Sequence, residues 1–189
     1  MERAVDNRSS GPSATRGNLE EMLAANRAFV AERRLQAMPD APTRKLAVLT
    51  CMDSRLTGLW DEALGLQRGD AMVLRNAGNT VAASDDVLRS LAIAVYAKGV
   101  EEIVVLGHSD CGMTKIQASA FIDAMSRAGV SRDAIPSIDF REWLGAFARE
   151  EDNVRDTVRA IRESGLFSPD VQVHGLLLYV ETGEVRAVQ

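Results

Sequence analysis

Four short apolar runs set the architecture: LAVLTC at residues 46 to 51, AMVLR at 71 to 75, EIVVLG at 102 to 107 and VQVHGLLLYV at 171 to 180, recurring as strand, loop and helix. Residues apolar at successive positions suit strands covered on both faces, and strands that alternate with helices are joined by crossovers that leave them parallel. The chain is therefore expected to be α/β, with a central, mostly parallel sheet of about four strands and helices on both faces. The tail ETGEVRAVQ reads as a turn and a short final strand, a hairpin with the run before it.

The segments between the runs carry helix signals. Ser84 is placed as a cap, Asp85 and Asp86 in the first turn, Leu88, Leu91, Ala92 and Val95 on the buried stripe, and Gly99 at the end. A second helix is expected from about Met113 to Ala128. Residues 138 to 163 look helical, but Gly145 and the acidic REEDN favour two shorter helices, with the acids at 149 to 152 forming a solvated helix end. Near the start, Asn18 and Glu21 form a capping-box pattern ahead of a stripe made by Leu19, Met22, Leu23, Phe29 and Val30. Residues 1 to 17 lack periodicity and read as a disordered lead to a single domain over residues 18 to 189.

Composition narrows the function. At 189 residues and 46% apolar content the chain can bury a real core. With 22 Lys and Arg against 27 Asp and Glu, it offers no basic field for nucleic acid or an anionic membrane. No apolar run approaches the roughly 20 residues that span a bilayer, and the N-terminus has no apolar signal core. The expectation is a cytoplasmic protein acting on a small molecule. Its two cysteines make no disulfide framework in a reducing compartment, so each is core filler, reactive thiol or metal ligand.

Open parallel sheets hold their ligands beyond the carboxyl ends of the strands. Cys51 ends the first run, and GHSDCGM, residues 107 to 113, delivers His108 and Cys111 from the third to the same edge. An HxxC pair with a third ligand from a neighbouring strand makes a Cys2His set for Zn(II), one ion per chain. A catalytic zinc keeps a position open. No further cysteine exists, so water, Asp53 or His174 takes it, and a zinc-bound water ionises near pH 7 to a hydroxide nucleophile. His174, mid-strand in an apolar run, reads as a core histidine and not a ligand. Asp53 can coordinate zinc or accept a hydrogen bond from the hydroxide, and Arg55, pairing with it bidentately, decides which. The plainer readings are a surface ion pair for Asp53 and Arg55, and a redox pair for Cys51 and Cys111, which lacks CxxC spacing. Asp110 is expected to hydrogen-bond its own turn, Gly112 to let the next helix approach, and NAGN at 76 to 79 to cradle an anion; no GxGxxG or Walker pattern marks a nucleotide site.

These residues resemble the β-class carbonic anhydrases, through CMDSR at 51 to 55 (family pattern CxDSR), HSDCG at 108 to 112 (HxxCG), LRNAGN at 74 to 79, SDDVLRSLAIAVYAKGVEEIVVLGH and VHGLLLYVETGEV. The likeness covers most of residues 18 to 188 and is strongest to the short, minimal branch. It implies zinc held by Cys51, His108 and Cys111, a catalytic dyad of Asp53 and Arg55, and reversible hydration of carbon dioxide to bicarbonate and a proton. It also implies a homodimer or higher even oligomer, with the N-terminal helix lying on the partner. Close relatives of that branch hydrolyse carbonyl sulfide or carbon disulfide with the same ligands. The reading from another class is a non-catalytic zinc-binding or sensing protein. Val48 stands where members with a second bicarbonate pocket carry Trp, although Arg75 matches another element of that pocket.

Overall fold

The computed structural model describes residues 13–82, 85–131 and 139–189, and divides into two bodies, Met1–Met38 and Pro39–Gln189, taken here in turn. In the first, helix α1 spans Ser13–Glu32. Asn18 therefore stands inside the helix and does not cap it. Gly17 and Asn18 cost at most about 1 kcal/mol each as interior residues, too little to end a helix of 20 residues. The apolar stripe is present but uncovered: Leu19, Met22, Leu23, Phe29 and Val30 are all exposed, and the Arg33 guanidinium lies 5.5 Å over the Phe29 ring.

The second body is built on one sheet. Strands β1 (Leu46–Cys51), β2 (Ala71–Asn76), β3 (Glu102–His108), β4 (Gln172–Leu178) and β5 (Val185–Val188) lie in the order β2-β1-β3-β4-β5. The first four are parallel and β5 returns antiparallel on β4, as the runs and the tail imply. The chain steps outward from β1 to β2 and then crosses back to β3, so the winding reverses between β1 and β3.

Alternate residues on the strands feed two cores. On one face Ala47, Leu49, Ile103, Val105 and Val173 pack with Leu91, Ala94 and Val95 of α3 (Asp85–Lys98) and Val154, Val158 and Ile161 of α6 (Glu150–Glu163). On the other, Val48, Leu106 and Leu178 meet Leu56, from the 3-10 turn Ser54–Leu56, and Trp60, from the short α2 (Leu59–Ala63). Helix α6 approaches the sheet closely because Gly107 and Gly175 lie beneath it: a Cβ at Gly107 would sit 2.5 Å from the Val154 side chain, and one at Gly175 2.8 Å.

Two further expectations need adjustment. His174 is exposed and faces Glu102 at 3.8 Å, not a core residue; its neighbours on that face, Val104 and Leu176, are themselves only half-buried. The helix expected over Met113 to Ala128 is two pieces, a 3-10 turn at Gly112–Thr114 and α4 at Ala118–Arg127. Thr114 closes that turn by donating both its backbone N–H and its hydroxyl to the Cys111 carbonyl. Gly145, at φ 63, does separate α5 (Phe140–Leu144) from α6, and Gly99 ends α3 in the left-handed region. The cap expected at Ser84 lies outside the described residues. Among those residues, no helix is long and apolar enough to cross a membrane.

The close approach of α6 gives a test. Gly107→Ala should lower unfolding free energy by about 1–3 kcal/mol through overpacking against Val154, measured by urea denaturation; an unchanged midpoint would contradict that contact.

Candidate metal centre

β1 and β3 pair in parallel with Thr50 beside Leu106, and the Thr50 hydroxyl donates to the Leu106 carbonyl at 3.0 Å in the interior. This brings the last residues of both strands, Cys51 and His108, to one edge at the reversal point. Beyond β3, Ser109 is tied to the end of β4: its N–H donates to Leu178 O at 2.8 Å, and its hydroxyl accepts from Val180 N–H at 3.0 Å. Asp110 then takes a left-handed conformation, φ 54, a turn that Asp tolerates better than most residues. The chain reverses, and Cys111 comes to face Cys51. A ring nitrogen of His108 and the two sulfurs all lie within 4.8 Å of one another, with all three residues buried.

The donor set fits a soft or borderline divalent cation. His108 Nδ1 is 2.9 Å from the Ser109 carbonyl, which can only accept, so Nδ1 carries the proton and Nε2 offers its lone pair. That Nε2 is buried with no hydrogen-bond partner. The sulfurs are 4.0 Å apart, unbonded, and share a proton: the Cys111 S–H holds the Cys51 thiol well below its ordinary value against the cost of burial, and Cys51 in turn pushes Cys111 up. Backbone N–H groups of Gly78 and Asp53 also stabilise the Cys51 thiolate. An ion between these groups would let both thiols ionise and would use the orphaned imidazole nitrogen.

Asp53 and Arg55 stand at the rim. Arg55 donates from Nε to Asp53 Oδ1 at 3.0 Å and from Nη2 to Oδ2 at 2.8 Å, a bidentate clamp, and its backbone N–H adds a bond to Oδ1 at 2.9 Å. These hydrogen bonds hold the Asp53 carboxyl at about 2, so it is ionised at neutral pH. Its Oδ2 lies 4.0 Å from His108 Nε2. All five residues singled out in the sequence are therefore brought together.

Others join them. Arg75 donates to Cys51 O at 3.0 Å, Asp53 O at 2.8 Å and Thr57 Oγ1 at 3.2 Å, so its guanidinium is spent on the loop that carries the dyad. Glu150, in the first turn of α6, accepts from the Cys111 N–H at 3.1 Å, and Asn153 donates to Gly78 O at 2.7 Å. Asp110 pairs with Arg55 and Lys115 instead of bonding its own turn. Gly112 has no steric role, since a Cβ there would meet nothing within 4 Å.

Fold and site together define an α/β protein with a three-residue Cys2His cluster, able to hold a metal ion, at the winding reversal. Comparison with known proteins gives the family: the sequence profile described as carbonic anhydrase matches residues 46–185. β-Carbonic anhydrase isoform I of Trichomonas vaginalis superposes with a TM-score of 0.85 at 34% identity, covering 90% of this chain and 96% of that one. The carbonic anhydrase of Streptococcus mutans superposes at 0.78 with 36% identity, covering 90% and 97%. A carbon disulfide hydrolase of Acidithiobacillus thiooxidans is 32% identical over 167 residues, covering 82% of this chain and 81% of that protein. The chain belongs to the β-class carbonic anhydrase family.

If the three buried groups form one site, Cys111→Ser and His108→Ala should each weaken divalent metal binding by more than about 100-fold, beyond the loss that even an outer partner can cause. Competition with a chromophoric chelator measures this, and wild-type affinity in either variant would contradict the ligand set.

Proposed function

We propose that the chain catalyses reversible hydration of carbon dioxide to bicarbonate and a proton, with one zinc ion held by Cys51, His108 and Cys111. The observation that carries this reading is Asp53, ionised and clamped by Arg55, with its Oδ2 4.0 Å from the orphaned His108 Nε2. Three side-chain ligands leave a fourth position open, and bound zinc there supplies Lewis acidity that lowers the pKa of a water to about 7.

The chain's own residues do the rest. Asp53, a carboxylate with no proton of its own, accepts a hydrogen bond from the attacking water and orients it. Arg55 keeps that carboxylate turned from the ligand positions. His108 is fixed by the Ser109 carbonyl, so its tautomer does not change during turnover. No second imidazole is at hand for proton export: His174 pairs with Val104 in the sheet, four residues before His108, or roughly 13 Å along the strand. The proton leaves to buffer, and turnover should rise with buffer concentration.

A second reading has a specific basis in the similarity to carbon disulfide hydrolases. Stopped-flow carbon dioxide hydration by the zinc-loaded chain, with sulfide release from carbonyl sulfide and carbon disulfide assayed in parallel, separates the two. Rapid hydration with negligible sulfide is the expected result; sulfide without hydration would replace the reading, and neither activity at full zinc would mark a non-catalytic zinc protein. We further place the protein in the cytoplasm, where two unbonded sulfurs 4.0 Å apart stay reduced, and as a homodimer or higher even oligomer whose partner covers the apolar residues of α1. Sedimentation showing only monomer would contradict that assembly.

Asp53→Asn and Arg55→Ala should each retain zinc and lose about 100-fold or more in kcat/KM, the scale of a lost proton-handling group. Wild-type turnover in either zinc-loaded variant would remove the dyad from the mechanism.

A further inference from the structure

Asp110 ties the β1 half of the site to the β3 half. It sits inside the ligand loop, between His108 and Cys111, in the left-handed conformation that reverses the chain. Two of its oxygens accept from Arg55: Oδ2 from Nη1 at 2.8 Å and the backbone carbonyl from Nη2 at 2.9 Å. The other carboxylate oxygen pairs with the Lys115 ammonium. Arg55 has five N–H donors in a rigid plane; Asp53 takes the Nε–Nη2 edge and Asp110 the adjoining Nη1–Nη2 end. Aspartate, arginine, aspartate and lysine thus form an alternating chain of charge along the rim of the metal centre.

Stability does not account for this arrangement. The Arg55, Asp110 and Lys115 side chains are 43%, 46% and 67% exposed, and ion pairs at such positions contribute little. What the chain of charges does is geometric. Asp53 and Arg55 lie two residues apart on one short turn, so their mutual pairing alone does not prevent them from moving together. Anchoring the Nη1–Nη2 end of the guanidinium to a residue of the other strand's loop fixes its plane, and with it the plane of the Asp53 carboxylate. Lys115 binds the second lobe of Asp110, which limits competition between the two carboxylates for one arginine.

We propose that Asp110 is a positioning residue that locks Arg55 from the ligand loop and so keeps the Asp53 carboxylate off the open metal position. The inference rests on the zinc reading above. Without Asp110, the Arg55–Asp53 pair gains freedom, the carboxylate competes with exogenous ligands for the ion, and the fraction of open sites falls. The loss appears in kcat with KM unchanged, because carbon dioxide, unlike azide, does not itself bind the ion and so does not displace Asp53 as its concentration rises.

The test uses the full chain substituted with cobalt(II), titrated with azide and read by visible absorption, beside carbon dioxide hydration by the zinc form. Asp110→Gly, which keeps the left-handed turn, should bind cobalt at wild-type stoichiometry while apparent azide affinity and kcat fall about tenfold, the scale of one charge-assisted hydrogen bond. Asp110→Asn retains an acceptor for Arg55 and should recover part of both. In an Asp53→Asn background the Asp110→Gly change should have little effect on azide affinity, since the competing carboxylate is gone. Unchanged azide affinity in Asp110→Gly, or an equal loss in the Asp53→Asn background, would overturn the proposal. If Asp110→Gly fails to fold, the same cycle with Asp110→Asn decides it. A wild-type protein that binds azide without hydrating carbon dioxide would sink only the proposed reaction; one whose cobalt ignores azide would overturn both.

Discussion

The parallel pairing of β1 with β3 is the constraint on which the site depends. Its register, continuous from Leu46 beside Glu102 to Thr50 beside Leu106, brings Cys51 and His108 to the same edge. Because β2 lies on one side of this pair and β4 on the other, the loops that leave the two strands diverge and open a crevice between them. One step beyond the Thr50–Leu106 pair Cys51 ends its strand, and a slip of one residue would move it about 3.3 Å along that edge relative to His108. The buried Thr50 hydroxyl on Leu106 O, one residue before Cys51, ties the two strands together at that point.

Helix α6 supplies the second support. Glu150 and Asn153, one turn apart, reach two loops at the site from the same end of the helix: one holds the Cys111 amide, the other the carbonyl of Gly78 in the loop after β2. Val154 packs onto Gly107 and Gly175 directly beneath. Gly78 itself, at φ 79, has no room for a side chain, since a Cβ would lie 2.8 Å from Phe147 and 3.2 Å from Met113. The residues of the candidate site thus come from β1, β3 and the loop after β3, while the Cys111 amide and the neighbouring Gly78 carbonyl are held from one helix that belongs to a later stretch of the chain.

Much of this was legible in the residues. The strands announced themselves because burial on both faces demands unbroken apolar runs, and the five residues of the candidate site did because an HxxC pair, a strand-end Cys and the Asp and Arg that follow it all fall at one sheet edge. The rest depended on distance. Glu150 lies in an acidic stretch whose charge pattern is that of any solvated helix start, and nothing local marks one acid as reaching an amide 39 residues away. Asn153 acts on a carbonyl 75 residues distant. His174 was misplaced because an apolar run tells which residues share a face but not how fully that face is covered, and Val104 and Leu176 beside it are only half-buried. The split at Gly112–Thr114 came from one threonine bonding a ligand's carbonyl, a choice that helix propensity does not weigh.

Zinc K-edge X-ray absorption of the purified, zinc-loaded chain tests the central claim most directly, namely an open three-ligand centre at the strand reversal. The account predicts two sulfur scatterers near 2.3 Å, one imidazole nitrogen near 2.0–2.1 Å and one light atom exchangeable with added anion. A first shell closed by a fourth protein ligand that no anion displaces, or one containing fewer than two sulfurs, would contradict it.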